Sequence, residues 1–590
     1  MNVVTINGQA VEFAEGATVL QAARQAGVHI PTLCFLENRE SLGACRVCLV
    51  EIEGARTLMS SCATPCVDKM VVHTNTPRAR AARRQVVELL LSEHDGNCQV
   101  CERNEDCELR RLASDMGIRT VTYEGARARP QRDATTPALV RDNGKCVKCR
   151  RCVAVCSQTQ GVGALFPQGR GFATVIGPAF TRQLDGVACV QCGQCAAVCP
   201  VGAITEHSQI DEVWKALDDP SKTVVVQTAP AIRGALGEEF GMPPGTRVTG
   251  RMVSALRQMG FDAVFDTNFA ADLTILEEGT ELLTRLKHAL VDKQPVALPM
   301  FTSCSPGWIK FAEYYYPQFL PNLSTCKSPQ QMFGALAKTY YAGKIGKPAA
   351  DIVVVSVMPC TAKKFEALRP EMNASGVRDV DYVLTTREFA RMIRQAGIGF
   401  VNLPNGRMDA PLGLSSGAAD IFANTGGVME AALRTAYEIV TGRPLPSENL
   451  HVKPIAGLQG IKEAALKITG ARPEWSFLEG VELRVAVSHG LGNARRLLER
   501  IRSGEGKYHF VEVMTCPGGC IGGGGQPRFT DDGVRLKRIE AIYAEDEGKP
   551  LRKSHENEAV QELYRDFLGH PLGHKSHQLL HTTYAARKKM

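Results

Sequence analysis

No run of about 18 apolar residues, the length a membrane-spanning helix needs, occurs in this sequence. The longest apolar stretches, Thr223 to Ile232 and Asp351 to Pro359, have the length of buried strands. A membrane span is therefore not expected. The first residues, Met1-Asn-Val-Val-Thr-Ile-Asn-Gly8, lack the basic patch, apolar core and small-residue cleavage site of an export signal, so a cytoplasmic location is expected. Excess charge is missing too. A formal net charge of +7 over 590 residues, with bases and acids interspersed, leaves no nucleic-acid footprint. The glycine run 522–525 is not followed by Gly-Lys-Ser/Thr, and no strand-to-helix G-x-G-x-x-G with a downstream acid is evident. Neither nucleotide-binding pattern is therefore supported.

Cysteine, by contrast, is abundant: 21 residues, bunched at intervals of two and three. Disulfide scaffolds are short secreted chains, so this spacing belongs to metal sites. Several thiolates converging on one centre favour zinc or iron–sulfur clusters over hard cations. With 44% hydrophobic and 22% charged residues, a chain of this length divides into roughly three to five domains.

Residues 1–77 alternate short apolar runs with Gly and Asn turns and contain one helical pattern, Val19 to Gly27. They read as a small mixed sheet with a packed helix, carrying on its loops Cys34, Cys45, Cys48 and Cys62. Four thiolates match a 2Fe-2S cluster, with structural zinc as the alternative. Cys66 is a spare, read as a buried thiol. In residues 78–120 a basic amphipathic helix, Arg78 to Leu91, runs into His94, Cys98, Cys101 and Cys107. One imidazole and three thiolates suit zinc or a 4Fe-4S cluster, and a neutral imidazole in place of an anionic thiolate changes cluster charge and hence potential. Val121 to Lys145, rich in Arg, Pro and Thr without periodicity, reads as an irregular connection.

Residues 138–209 hold the one clear internal repeat, C-x2-C-x2-C-x3-C twice: Cys146, Cys149, Cys152, Cys156 and Cys189, Cys192, Cys195, Cys199. In the bacterial ferredoxin run the fourth cysteine ligates the other cluster. One cubane is thus expected on Cys146, Cys149, Cys152 and Cys199, the second on Cys189, Cys192, Cys195 and Cys156. Pro200 closes the second run, whereas Ser157 stands in its place in the first. Beyond about residue 210, β-rich runs at Thr223 to Val226, Pro295 to Met300 and Ile352 to Val357 alternate with helical patterns, predicting an α/β domain with parallel strands over 210–530 and a helical tail over 531–590.

Cysteines return there on three distant segments: Phe301-Thr-Ser-Cys304-Ser-Pro-Gly-Trp308, Met358-Pro-Cys360-Thr-Ala-Lys363-Lys-Phe-Glu366 and Met514-Thr-Cys516-Pro-Gly-Gly-Cys520-Ile-Gly-Gly-Gly-Gly-Gln-Pro527. Each cysteine lies beside Pro or Gly, a pattern suited to a buried metal centre approached closely by backbone. Any single segment also suits a core thiol and a turn; the three together do not.

At these segments, and at Gln227-Thr-Ala-Pro230, Ser328-Pro-Gln-Gln331 and Thr425 to Arg434, the chain closely resembles the FeFe (iron-only) hydrogenases. The N-terminal modules resemble the large iron–sulfur subunit of respiratory complex I and, equally, the accessory domains of large FeFe hydrogenases. The resemblance implies a multidomain α+β and α/β protein. Its parts are a ferredoxin-like β-grasp 2Fe-2S domain, a 4Fe-4S segment with one His and three Cys ligands, a bacterial-type 2x4Fe-4S ferredoxin domain, and an α/β catalytic domain with a helical C-terminal tail. The implied cofactors are one 2Fe-2S cluster, three accessory 4Fe-4S clusters and the H-cluster. The last is a cubane joined through a shared cysteine sulfur to a two-iron centre with carbon monoxide, cyanide and a dithiolate bridge. Cys360, Cys516 and Cys520 match cubane ligands, Cys520 the shared one, and Ala229, Pro230, Gln330, Met358 and Met514 match residues lining the cofactor.

Heterolytic splitting of dihydrogen needs a Lewis-acidic iron with an open position and a nearby base; the family's bridge amine fills the second role. Protons then pass through a cysteine, acids and hydroxyls that map onto Cys304, Glu281, Ser324 and Glu278. Glu278 and Glu281 lie one helical turn apart; the alternative for them is a solvated helix face. Lys363 matches a lysine holding a cyanide ligand, the alternative being a surface salt bridge. One departure stands out. The family's commonest first segment has two adjacent cysteines, the first relaying protons and the second ligating, whereas here Ser305 follows Cys304. Either Ser305 ligates through oxygen, or Cys304 takes the ligand role and another group relays protons. Cys326 is unassigned and read as structural.

Chain size and the His-rich tail, Gly573 to Tyr584, resemble the catalytic subunit of multimeric NAD(P)-linked hydrogenases, some of which bifurcate electrons with ferredoxin. Flavin- and NAD(P)-binding and 2Fe-2S partner subunits, and soluble ferredoxin, are the implied partners. The tail itself reads as a docked amphipathic helix with exposed imidazoles rather than a metal site. Three other readings compete. A complex I-type electron-transfer subunit gives no reason for residues 227–527; a hydrogen sensor is expected to lose Cys304; an assembly protein of this shape generally lacks the full accessory array.

Overall fold

The computed structural model describes residues 2–124, 131–445, 453–454, 460–528 and 530–588. Part of the expected irregular connection, residues 125–130, lies outside them. Among the described residues no helix is long and apolar enough to cross a membrane.

At the N-terminus Asn2–Ile6 pairs antiparallel with Gln9–Phe13 and parallel with Val71–His73, in a five-stranded mixed sheet that ends with Leu49–Ile52 and Met59–Ser60. The helix Val19–Gln25 packs on it. Thr18 starts this helix with a capping box: its hydroxyl accepts from the Gln21 amide, and the Gln21 side chain accepts from the Thr18 amide. It stops before Gly27, which takes a left-handed φ of 71°. Cys66 is half-buried against this core, not buried as expected. The following helix, Pro77–Glu93, is capped by Thr76 with Pro in its first turn.

The two cysteine runs fold alike. In the first, Lys148 and Arg150 have φ of 55° and 63°; in the second, Gln191 and Gly193 have φ of 56° and 72°. Left-handed residues on either side of the second cysteine curl the backbone around each cysteine group, and short helices, Arg151–Ala154 and Gln194–Val198, follow.

After residue 210 two sheets carry the domain. The first is fully parallel, in the order Ala263–Asp266, Thr223–Thr228, Ile352–Met358, Tyr382–Thr385. The second runs Met300–Phe301, Phe510–Met514, Glu482–His489, Ile461–Lys467, Lys453–Pro454, with its first three strands parallel. The run Pro295 to Met300 is not the strand expected: only Met300–Phe301 pairs, because Pro295 and Pro299 have no amide to donate to a ladder. The 24-residue helix Thr267–Leu290 contributes Phe269, Ala270 and Leu273 to the core over the first sheet and Ala271, Ile275 and Leu283 to that over the second. A helix serving two cores is apolar on two faces. The acids it carries between those faces, Glu277, Glu278 and Glu281, are buried as well.

Candidate functional site

Four parallel strands end on the segments that sequence analysis singled out. Thr223–Thr228 leads into Ala229-Pro230, Ile352–Met358 into Cys360, Met300–Phe301 into Cys304, and Phe510–Met514 into Cys516. Carboxyl ends of parallel strands are where α/β folds open their crevices. Ala229, Pro230, Gln330, Met358 and Met514 are all buried there.

Cys360, Cys516 and Cys520 converge, each thiol raised by burial, and each of the pairs with Cys360 interacting electrostatically. Cys304 is held well above the ordinary thiol range by burial, then by the Glu278 carboxylate and by Cys520. Neutral thiols in so apolar a place become thiolates only if a cation is supplied. Lys363 Nζ is 3.1 Å from the Cys304 carbonyl, 2.7 Å from Ser328 Oγ and 2.8 Å from Glu366 Oε2. It is thus no surface salt bridge: its side chain is only 11% exposed, and its ammonium reaches the Cys304 backbone as well as Glu366. Ser305 stands at the N-cap position of the helix Pro306–Tyr315 without bonding the helix amides; its hydroxyl lies 2.7 Å from that of Thr515.

On the other side of Cys304 lies a line of polar groups. Burial, with the charge of Glu281 beside it, pushes the Glu278 carboxyl up to about 8, while hydrogen bonds from Ser324 and the Ser303 backbone oppose the rise. Ser324 Oγ donates to Glu281 Oε2 at 2.8 Å, and Arg285 holds Glu281 Oε1 at 2.7 Å. The solvated-face alternative for these acids fails, since both are buried.

Upstream, one small cavity is lined by Cys146, Cys149, Cys152 and Cys199, and a second by Cys156, Cys189, Cys192 and Cys195. The fourth cysteine of each run faces the other run's cavity. The glycines at 522–525 dock this module onto the catalytic segments. A Cβ on Gly524 would overlap the Cys192 carbonyl, and one on Gly523 the Pro359 carbonyl. Gln194 Nε2 donates to the Gly522 carbonyl at 2.9 Å and Thr361 Oγ1 to the Gln191 carbonyl at 2.7 Å. Cys192 and Cys516 are consequently close enough to interact electrostatically. Further out, Cys101 and Cys107 interact in the same way, and Cys98 lies one turn before Cys101, whose amide reaches its carbonyl at 3.2 Å. His94 is buried, and its Nδ1 has no hydrogen-bond partner. In the N-terminal domain Cys48 Sγ is 3.3 Å from Cys62 Sγ, and Cys34 bonds both Cys45 and Cys62.

Comparison with known proteins resolves which redox enzyme this is. Residues 222–524 match the iron only hydrogenase large subunit, C-terminal domain, and residues 532–587 the iron hydrogenase small subunit. The chain is 52% identical, over the full length of both, to the NADP-reducing hydrogenase subunit HndD of Solidesulfovibrio fructosivorans. The chain belongs to the iron-only (FeFe) hydrogenases. Iron hydrogenase 1 of Clostridium pasteurianum is 40% identical, over 99% of this chain and 100% of that one. An apo FeFe hydrogenase HydA1 from Chlamydomonas reinhardtii superposes with a TM-score of 0.59 at 46% identity, covering 64% of this chain and 99% of that one. Ahead of the catalytic domain, residues 3–77 match a 2Fe-2S iron–sulfur cluster binding domain, 83–122 the NADH-ubiquinone oxidoreductase-G iron–sulfur binding region, and 145–203 a 4Fe-4S dicluster domain.

This hydrogenase is therefore a catalytic subunit with its own iron–sulfur relay domains, and the complex I-type reading without chemistry falls with the match over 222–524. Its donor sets fit iron–sulfur groups: twin cysteine-lined cavities, an unpartnered buried imidazole nitrogen on His94, and an unpartnered Gln330 Oε1 beside Lys363. Several polar groups at the site escaped sequence analysis. Glu512 is buried, accepts from the Gly426 and Met429 amides at 2.6 and 2.8 Å, and is pushed by burial up to about 7. Its signal was present: an acid inside the apolar strand Phe510–Met514. Glu366, which binds Lys363, had no comparable mark, since it sits in a mixed helical stretch.

Proposed function

We propose that this hydrogenase is the dihydrogen-activating subunit of a multi-subunit enzyme that passes its electrons to NADP through a flavin-bearing partner, with ferredoxin as a second exchange partner. The relative at 52% identity, an NADP-reducing hydrogenase subunit, supports this assignment. A cytoplasmic compartment suits a chain whose cysteines must remain thiolates for clusters. Its five units are 1–77, 78–120, 138–209, 210–530 and 531–590. They carry, in order, one 2Fe-2S cluster on Cys34, Cys45, Cys48 and Cys62; one 4Fe-4S cluster on His94, Cys98, Cys101 and Cys107; two cubanes with exchanged fourth ligands; and the H-cluster.

At the catalytic centre Cys360, Cys516 and Cys520 hold the cubane, and Ser305 supplies the fourth donor from the N-terminus of its helix. The observation that carries this arrangement is the position of Cys304. Its thiol interacts with Glu278, the start of a polar line, whereas the Ser305 hydroxyl points to Thr515, the neighbour of Cys516. The di-iron centre held there would supply the Lewis-acid chemistry for heterolytic splitting of dihydrogen. The chain's own residues manage the proton. Cys304 takes it and gives it to Glu278, whose pKa near neutrality lets it both accept and release; Ser324 passes it to Glu281. Lys363, held by Glu366 and Ser328, presents its ammonium beside Cys304. Met358, Met514, Ala229 and Pro230 exclude water.

The test is infrared spectroscopy of the anaerobically matured protein for cyanide and carbonyl stretching bands, followed by dihydrogen-dependent dye reduction. Both are expected. Absence of both would falsify the H-cluster assignment, whereas bands with only trace turnover would identify a hydrogen sensor instead.

A further inference from the structure

The C-terminal tail was expected to dock with its imidazoles exposed. His574 and His577 do so, but His581 does not. The helix His574–Leu580 ends against the loop after Ser324, and two backbone bonds of 2.8 Å, Lys327 amide to Leu580 carbonyl and Thr582 amide to Thr325 carbonyl, zip the two segments together. His581 is thereby turned inward and is 8% exposed. Its Nδ1 lies 2.8 Å from Thr325 Oγ1 and its Nε2 3.1 Å from Glu277 Oε2. Glu277 is fully buried and otherwise held by the Tyr564 hydroxyl at 2.6 Å and the Leu572 amide at 2.8 Å, both from the tail. Thr325 in turn touches Glu281: its amide is 3.1 Å and its hydroxyl 3.4 Å from Glu281 Oε2. The exposed His577 ring stacks on His581 with centroids 4.3 Å apart.

We propose that the His581–Glu277 pair receives the proton beyond Glu281, so that the C-terminal segment supplies the outer end of the proton relay. This rests on the reading of Glu278, Ser324 and Glu281 as that relay. A hydroxyl can accept one proton while it donates another. Glu281 gives its proton to Thr325 Oγ1 as the Thr325 hydroxyl proton passes to His581 Nδ1, leaving Glu281 a carboxylate, Thr325 unchanged and His581 an imidazolium paired with Glu277. Loss of the Nε2 proton to solvent past the exposed His577 leaves the neutral Nδ1–H tautomer, and exchange of the Nδ1 proton for one on Nε2, through solvent or a ring flip, restores the acceptor that faces Thr325.

The charged and titratable groups facing His581 favour this use. From the helix Thr267–Leu290 come Glu277, Glu281 and Arg285, the last spent on Glu281; from the loop comes Cys326, fully buried; from the tail come Tyr564 and His577. Lys327 is turned away onto Asp379 at 3.1 Å. Glu281, Cys326 and His581 also bring metal-type donor atoms within 4.8 Å of one another. Both imidazole nitrogens and Glu281 Oε2 are already engaged in hydrogen bonds, which is the state a proton wire needs and a cation site does not.

The experiment uses the matured holoenzyme and the variants His581→Gln, Thr325→Val and Glu281→Gln. It measures turnover against pH, the solvent deuterium isotope effect, and the infrared absorption of protonated carboxyl groups. His581→Gln and Thr325→Val are each expected to keep the cyanide and carbonyl bands and lower turnover about tenfold or more. They should also raise the isotope effect and shift the titration of the carboxyl band that Glu281→Gln removes; added imidazole should restore rate to His581→Gln. Thr325→Val leaves the tail's own residues and both backbone bonds to it in place, so it decides the matter even if His581→Gln fails to fold. Wild-type rate, isotope effect and pH profile in Thr325→Val, with Glu281→Gln inactive, overturn the extension alone. Full turnover in Glu281→Gln overturns the underlying relay as well.

Discussion

The hydroxyl of Ser305 lies 2.7 Å from that of Thr515, and the Thr515 amide donates to it at 3.3 Å. Ser305 is thereby pinned beside the cysteine that follows Thr515. If an oxygen completes the cubane there, a soft thiolate in its place changes the cluster's electronics, because a harder donor favours the oxidised state. Ser305→Cys is expected to retain four irons in that cubane and raise its reduction potential, read by redox titration with electron paramagnetic resonance. Ser305→Ala is expected to lower the iron content. Unchanged potential and iron content in both would assign the fourth position elsewhere.

Cys304 and Glu278 are expected to act in series. Cys304→Ala and Glu278→Gln should each reduce dihydrogen oxidation by about 10²-fold or more, as loss of a positioned proton carrier does, while cyanide and carbonyl bands persist. Loss of the bands in Cys304→Ala would instead make that residue a ligand.

Gly524 lets the second cysteine run approach the catalytic loops, since any Cβ there would overlap the Cys192 carbonyl. Gly524→Ala is expected to push the two modules apart. Dye reduction through the relay should then fall by about tenfold or more, electron transfer being acutely sensitive to misplacement. Exchange of deuterium gas with solvent protons, which needs no relay, should be spared; an equal loss in both assays would locate the damage at the catalytic centre.

His489 is half-buried, with Nδ1 accepting from the Gly518 amide at 3.2 Å, and loss of solvent around the ring pushes it down to about 4. Its unfolded value is about 6.5. Below that pH the unfolded chain gains a proton that the folded chain resists, so stability falls as pH drops from about 6.5 to about 4. His489→Gln keeps an acceptor for Gly518 and cannot charge. Chemical denaturation across that range should show a shallower acid loss in the variant; identical curves would remove His489 as the cause.

Much of the site was legible because its marks are local. Cysteine spacing within a run fixes how thiols can gather around one centre, and Pro or Gly beside each of Cys304, Cys360 and Cys516 marks tight loops. Two of the catalytic domain's parallel strands, Thr223–Thr228 and Ile352–Met358, were visible as apolar runs, whereas Pro295 and Pro299 broke the one placed at 295–300 and the others carried no run that was singled out. Glu366 and Thr325 carried no mark, because an acid or hydroxyl in a mixed segment looks the same whether it faces water or a buried lysine.

The sequence by itself determined the classes of donor, their number and the order in which they meet the chain. Only the tertiary structure decided which hydroxyl or thiol of the Cys304-Ser305 pair faces Glu278 and which faces Thr515, and that His581, some three hundred residues from Glu281 along the chain, lies one hydroxyl away from it. The reason is range. Spacing and turn residues act over a few bonds, whereas the inward turn of His581 depends on backbone pairing between Thr325–Lys327 and Leu580–Thr582, contacts that form only when distant segments pack on the same core.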